Sequence, residues 1–121
     1  ELVARIRAVL RRGRIGRIET DETIEFDSLS LDLAGHQVMV DDSAAELSAL
    51  EFALLSALAS APGRVFTRGE LLERVWGPEF EGSERVVDAY VRLLRKKLRD
   101  DPEAPRFIET VVGLGYRFLG D

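Results

Sequence analysis

The sequence contains no cysteine, so neither a disulfide framework nor a thiolate metal site can be built from it, and a small disulfide-stapled secreted fold is excluded. Its one histidine, His36, is paired by no motif with a serine, a metal partner or a second base, which leaves no route to acid–base or nucleophilic catalysis. No apolar run approaches the roughly 18 residues a membrane helix needs, and no charged-then-apolar signal layout opens the chain. The acidic pairs Asp41-Asp42 and Asp100-Asp101 lack EF-hand spacing and stand where turns and helix ends favour aspartate. The expectation is a cytoplasmic, non-enzymatic protein with no cofactor, no metal and no membrane partner.

Positive charge is also scarce. The net charge is −5, which alone argues against nucleic acid and favours a module that binds only protein. Its distribution reverses the argument. From Ser83 to Arg99, six cations (Arg85, Arg92, Arg95, Lys96, Lys97, Arg99) meet two anions (Glu84, Asp88), a net +4 on one segment. At 121 residues the chain is long enough for one domain with its own core. It opens on Glu1 rather than methionine, so a piece of a longer protein is expected.

Residues 1–12 carry Leu2, Ile6, Val9 and Leu10 at helical spacing among four arginines, a short amphipathic helix expected to pack on an upstream domain. Residues 13–22 are polar, glycine-bearing and aperiodic, as a linker would be. From Thr23 the runs Thr23–Phe26, Leu29–Asp32 and Gln37–Val40 alternate apolar and polar residues between turns, with a fourth short strand near 44–47, giving an antiparallel meander. Ser48 with Glu51, and Thr67 with Glu70, form two capping-box signals. Each precedes an apolar helical stripe, the first ended by Pro62-Gly63 and the second near Trp76 by Gly77-Pro78. Ser83 caps a third helix that Asp100-Asp101-Pro102 terminates. The runs 107–112 and 116–119, joined by Gly113-Leu114-Gly115, read as a hairpin. No helix follows those glycines, so they are not a phosphate loop.

At 100° per residue, Val87, Val91, Leu94 and Leu98 of the third helix share one narrow arc, the face that buries. Val86, Ala89, Leu93 and Lys96 project away from it with Arg85 and Arg92 alongside. A helix with an apolar inner stripe, small outer residues and basic flanks suits the DNA major groove.

The motifs Pro62-Gly63-Arg64-Val65-Phe66-Thr67-Arg68, Leu71-Leu72-Glu73-Arg74-Val75-Trp76-Gly77, Val87-Asp88 through Val91-Arg92, Leu94-Arg95-Lys96-Lys97-Leu98 and Gly113-Leu114-Gly115-Tyr116-Arg117-Phe118 occur in order. Together they resemble the OmpR/PhoB winged-helix family of response regulators over about residues 23–119. The resemblance implies an α+β winged helix-turn-helix with an N-terminal antiparallel sheet, a three-helix core and a C-terminal β-hairpin wing. It divides the chain into the last helix of a missing receiver domain (1–12), a linker (13–22) and the winged-helix domain (23–121). It puts the recognition helix, 84–99, in the major groove of double-stranded DNA and the wing, 107–119, at the minor groove.

By position, the resemblance makes Arg85, Arg92 and Arg95 phosphate or base contacts and Val86 and Ala89 groove-floor residues, with Tyr90, Leu93 and Lys96 on the same helix. Trp76, Thr110 and Tyr116 match backbone-contacting residues, although core packing is an equal reading for Trp76 and packing of the ring on the wing an equal one for Tyr116. Pro78, Glu79, Phe80 and Glu81 match a loop that touches RNA polymerase. Two departures stand out: Leu93 replaces a base-reading arginine, and Val112 replaces the wing arginine, so the wing contact is weaker or falls to Arg117. A sensor kinase would act on the missing receiver, and the isolated domain would be a monomer that pairs on tandem DNA half-sites.

Overall fold

The computed structural model describes residues 23–120; the expected N-terminal helix and linker lie outside them. Strands β1 (Thr23–Glu25), β2 (Leu29–Asp32), β3 (Gln37–Val40) and β4 (Ser43–Ala45) form an antiparallel sheet in sequence order. Alternation sets its two faces. Leu29, Leu31, Val38 and Val40 are buried while their neighbours face water. The link between β3 and β4 is Asp41-Asp42, with φ of 50° and 68°, a two-residue hairpin turn whose left-handed backbone aspartate tolerates better than most residues.

Helix α1 (Ala49–Ala59) begins at the expected capping box: the Glu51 N–H donates to Ser48 Oγ at 3.2 Å, and the Ser48 N–H donates to Glu51 Oε1 at 2.9 Å. The second box does the same for α2 (Arg68–Leu71), with Thr67 and Glu70 exchanging bonds of 3.0 and 2.9 Å. α2 then widens into a π-helical turn, Leu72–Trp76, closed by the Gly77 N–H on the Leu72 carbonyl at 3.1 Å. Helix α3 (Arg85–Leu98) is the longest. Ser83 Oγ accepts from the Arg85 N–H at 3.1 Å, so the serine supplies the cap even though regular helix starts two residues later. Arg99, at φ 57°, ends the helix in a left-handed turn.

The C-terminal hairpin is not a two-stranded unit. Residues 65–67, where the sequence reading placed no strand, form β5 (Val65–Thr67), which pairs with β7 (Gly115–Phe118), itself paired with β6 (Ile108–Val111), in the order β5-β7-β6. Glycine is required in this sheet: a Cβ on Gly115 would stand 1.9 Å from the Phe66 carbonyl oxygen. The three helices, the inner face of the first sheet and Phe66, Phe107, Ile108 and Phe118 share one core. Phe26, packed on Phe118 at 4.9 Å, and His36, stacked on Phe52 at 4.7 Å, seat the first sheet on the rest. Residues 23–63, which build that sheet and α1, hold seven acidic residues and no lysine or arginine.

Candidate nucleic-acid interface

α3 buries Val87, Val91, Leu94 and Leu98 as the stripe requires. Arg85, Ala89, Arg92 and Lys96, all exposed, lie within roughly 60° of one another on the opposite face. Leu93 is 43% exposed beside them, and Val86 and Tyr90 are half-buried on that flank. Among the described residues five cations are neutralised internally, Arg64 with Glu70, Arg68 with Asp88, Lys97 with Glu51, Arg106 with Asp41 and Arg117 with Glu109, while Arg74 lies over the Phe66 ring and Arg99 donates to the Val40 carbonyl. The side chains of Arg85, Arg92 and Lys96 make no hydrogen bond or ion pair among the described residues. Three unpaired cations thus line the outer face of one helix over about 16 Å, at the usual rise per residue.

The other matched positions are held by neighbours. The Arg95 guanidinium leaves the outer face for β6, where Nη2 donates to the Ile108 carbonyl at 2.9 Å and to Thr110 Oγ1 at 2.8 Å. Its Nε is buried without a partner. Tyr116 is 5% exposed; its ring packs in the core and its hydroxyl donates to Asp88 Oδ1 at 2.6 Å. Burial, then Asp88, push the Tyr116 phenol up. Burial also pushes the Asp88 carboxyl up, but the Tyr116 hydroxyl and the Arg68 guanidinium outweigh it and hold the group below the usual carboxylate range. A cleft of about 380 Å³ between α3 and the wing is lined by Asp88, Arg92, Arg95, Lys96, Asp100, Pro102 and Tyr116.

Trp76 is half-buried, edge-on to Tyr90 at 5.2 Å, with Phe80 at 6.3 Å. This aromatic group anchors the exposed loop of Pro78, Glu79, Phe80 and Glu81. At the wing tip, Val112 is 91% exposed and Leu114 also faces solvent, while Gly113 turns the chain at φ 81°. Arg117 lies on the outer face of the sheet and is tied to Glu109 through Nε at 2.8 Å and through Nη2, so it does not extend toward the tip.

Sequence reasoning missed Asp100. Read as a helix terminator, it is 6% exposed, and its carboxylate accepts the N–H groups of Arg106 (2.6 Å), Phe107 (3.2 Å) and Ile108 (2.9 Å), fastening the start of β6 to the end of α3. Only the turn of the chain between α3 and β6, which brings three backbone N–H groups onto one carboxylate, reveals that role. Asp88 was likewise read only as one of two anions within the basic segment.

A helix with an unpaired basic outer face, packed on two shorter helical segments and followed by a hairpin whose tip stands clear, defines a winged-helix DNA-binding domain. Residues 42–118 match the family model described as transcriptional regulatory protein, C terminal, and the chain belongs to that family, which is of OmpR/PhoB type. It is therefore a DNA-binding effector domain of the kind that family describes, a family of regulatory and not enzymatic domains. The sensory transduction protein RegX3 of Mycobacterium leprae is 45% identical over 118 residues, covering 97% of this chain and 60% of that protein. The transcriptional regulatory protein KdpE of Mycobacterium tuberculosis is 40% identical over 118 residues, 98% of this chain and 52% of that protein. The chain thus spans little more than half the length of these relatives. Among solved structures, the Klebsiella pneumoniae RstA DNA-binding domain in complex with RstA box superposes with a TM-score of 0.76 at 37% identity over 83% of this chain and 99% of that one. The Thermotoga maritima OmpR/PhoB homolog DrrB gives 0.75 at 39% identity, over 82% of this chain and 45% of that one. No helix among the described residues is long and apolar enough to cross a membrane.

Proposed function

We propose that α3 lies in the major groove of a specific operator, with Arg85, Arg92 and Lys96 on phosphates or base edges and Val86, Ala89 and Leu93 against the groove floor. The wing, through Val112 and its neighbours, borders the adjacent minor groove. The observation that carries this reading is the row of three cations, Arg85, Arg92 and Lys96, whose side chains make no hydrogen bond or ion pair on the exposed outer face of α3. Base readout rests on Arg92, Lys96 and apolar contact, because Leu93 brings no donor. The similarity to an RstA domain solved on its RstA box supports the same docking.

The whole protein, in this reading, is a cytoplasmic response regulator. A sensor kinase acts on a receiver upstream of this domain, two domains bind tandem half-sites, and Pro78, Glu79, Phe80 and Glu81 meet RNA polymerase. Titrating salt against binding to a duplex selected from a random pool tests the core of it. About four neutralised phosphates give a log–log slope near −4. A flat titration sinks the groove-docking reading and leaves a protein-binding surface in its place.

A further inference from the structure

We propose that Asp88 is a positioning residue whose carboxylate fixes the angle between the recognition helix and the wing, so that both reach one duplex in register. The inference rests on the groove docking described above. Asp88 stands on α3 one turn before Arg92, on the flank that faces the wing, and lines the same cleft as Arg92, Arg95 and Lys96. One oxygen, Oδ1, accepts from Arg68 Nε at 2.7 Å and from the Tyr116 hydroxyl at 2.6 Å. Arg68 opens α2 and Tyr116 lies on β7, the central strand of its sheet, so a single atom joins α2, α3 and the wing.

The lever is stiff at both ends. The Tyr116 ring is buried and cannot swing without opening the core, so the position of its hydroxyl reports the position of β7. Charge-assisted bonds of this length are among the stronger ones in a protein. Besides Asp88, Arg95 of α3 holds Ile108 and Thr110 on β6 and sets its guanidinium 5.8 Å from the centre of the Tyr116 ring, and Asp100 holds the residues at the start of β6. Loss of Asp88 therefore leaves the wing folded, because β7 stays paired with β5 and β6, but removes the tie at the Tyr116 hydroxyl and loosens the seam between β7 and α3. An anion beside a phosphate track by itself weakens DNA binding, whatever the sequence of the duplex. Removing a mere charge thus raises both affinities and leaves their ratio unchanged, whereas removing a positioning residue lowers the ratio of specific to random affinity.

The experiment compares wild type, Asp88→Asn and Asp88→Ala. Affinity is measured for the selected duplex and for a random one, and amide exchange of β7 is measured in the free protein. Asparagine removes the charge and keeps an acceptor for the Tyr116 hydroxyl; alanine removes both. The expected result is an about tenfold fall in the ratio of specific to random affinity for Asp88→Ala, and an about threefold or smaller fall for Asp88→Asn. Random-duplex binding should hold or rise in both, and β7 amides should exchange faster in Asp88→Ala without DNA. An unchanged ratio with both affinities raised would reduce Asp88 to a charge and overturn the proposal, as would unaltered β7 exchange. Failure of the groove docking itself is read separately, from the wild type showing no preference for any duplex.

Discussion

Val112 stands in solvent with 91% of its surface exposed, so what approaches the wing, and not packing, decides which residue works there. An arginine at that point meets the negative potential of a narrow minor groove, which valine cannot use. Val112→Arg should leave the melting temperature unchanged, tighten binding by about 1 kcal/mol, steepen the salt slope by about one and add a preference for A·T flanks. Duplexes that differ only in flanking sequence check this. Arg92 and Arg95, three residues apart, should behave differently although both match family DNA contacts. The Arg92 side chain makes no hydrogen bond or ion pair among the described residues, only a weaker attraction to Asp88, so Arg92→Ala should shift stability by less than about 0.5 kcal/mol while lowering affinity. Arg95 already holds Ile108 and Thr110, so Arg95→Ala should cost about 1 to 2 kcal/mol of folding stability as well. Urea unfolding beside binding isotherms separates the two.

Among the elements, those legible in the sequence are those that local chemistry dictates. The alternation of β2 and β3, the two capping boxes and the stripe of α3 each need only neighbours within a few residues. β5 was not legible: three residues long, it is a strand because β7 lies beside it, and its register with Arg117, Tyr116 and Gly115 joins distant parts of the chain. The π turn before Gly77 likewise has no local signature beyond the glycine that ends it. In the interface, the basic helix was readable from charge and period, and Leu93 and Val112 stood out only as departures from a family pattern. The tethers of Arg95, Tyr116, Asp88 and Asp100 were not readable, because each crosses between elements. Asp100 yields the sharpest prediction at this scale. Asp100→Ala leaves three backbone N–H groups without their acceptor in a buried corner, so it should lower stability by about 3 kcal/mol or more in urea unfolding. The start of β6 should lose exchange protection before α1 does.

Four of the ionic ties among the described residues, those of Asp41, Glu51, Glu70 and Asp88, rest on carboxyls held below their usual range. Burial pushes Glu51 up, but the Ser48 N–H and the Lys97 ammonium outweigh it; Asp88 is held down as described. Groups lowered on folding stabilise the native state above their ordinary pKa, about 4, and that contribution fades as pH falls through the lower folded values. Tyr116 is raised, so its contribution is complete below its ordinary value of 10.0 and fades as pH climbs through the folded one. The urea midpoint should therefore be flat near neutrality, fall below about pH 4 and fall again above about pH 10. The Asp88→Asn variant should show a shallower acid limb. Among the described residues, 23–63 carry seven acidic residues and no lysine or arginine, while Arg85, Arg92 and Lys96 line the outer face of α3, so charge is distributed unevenly over the domain. In the field of a duplex such a body is turned before it touches: the sheet side is pushed away and the helix side is drawn in. Much of the benefit of that layout should then appear in the rate of encounter, with low salt quickening association far more than it slows release.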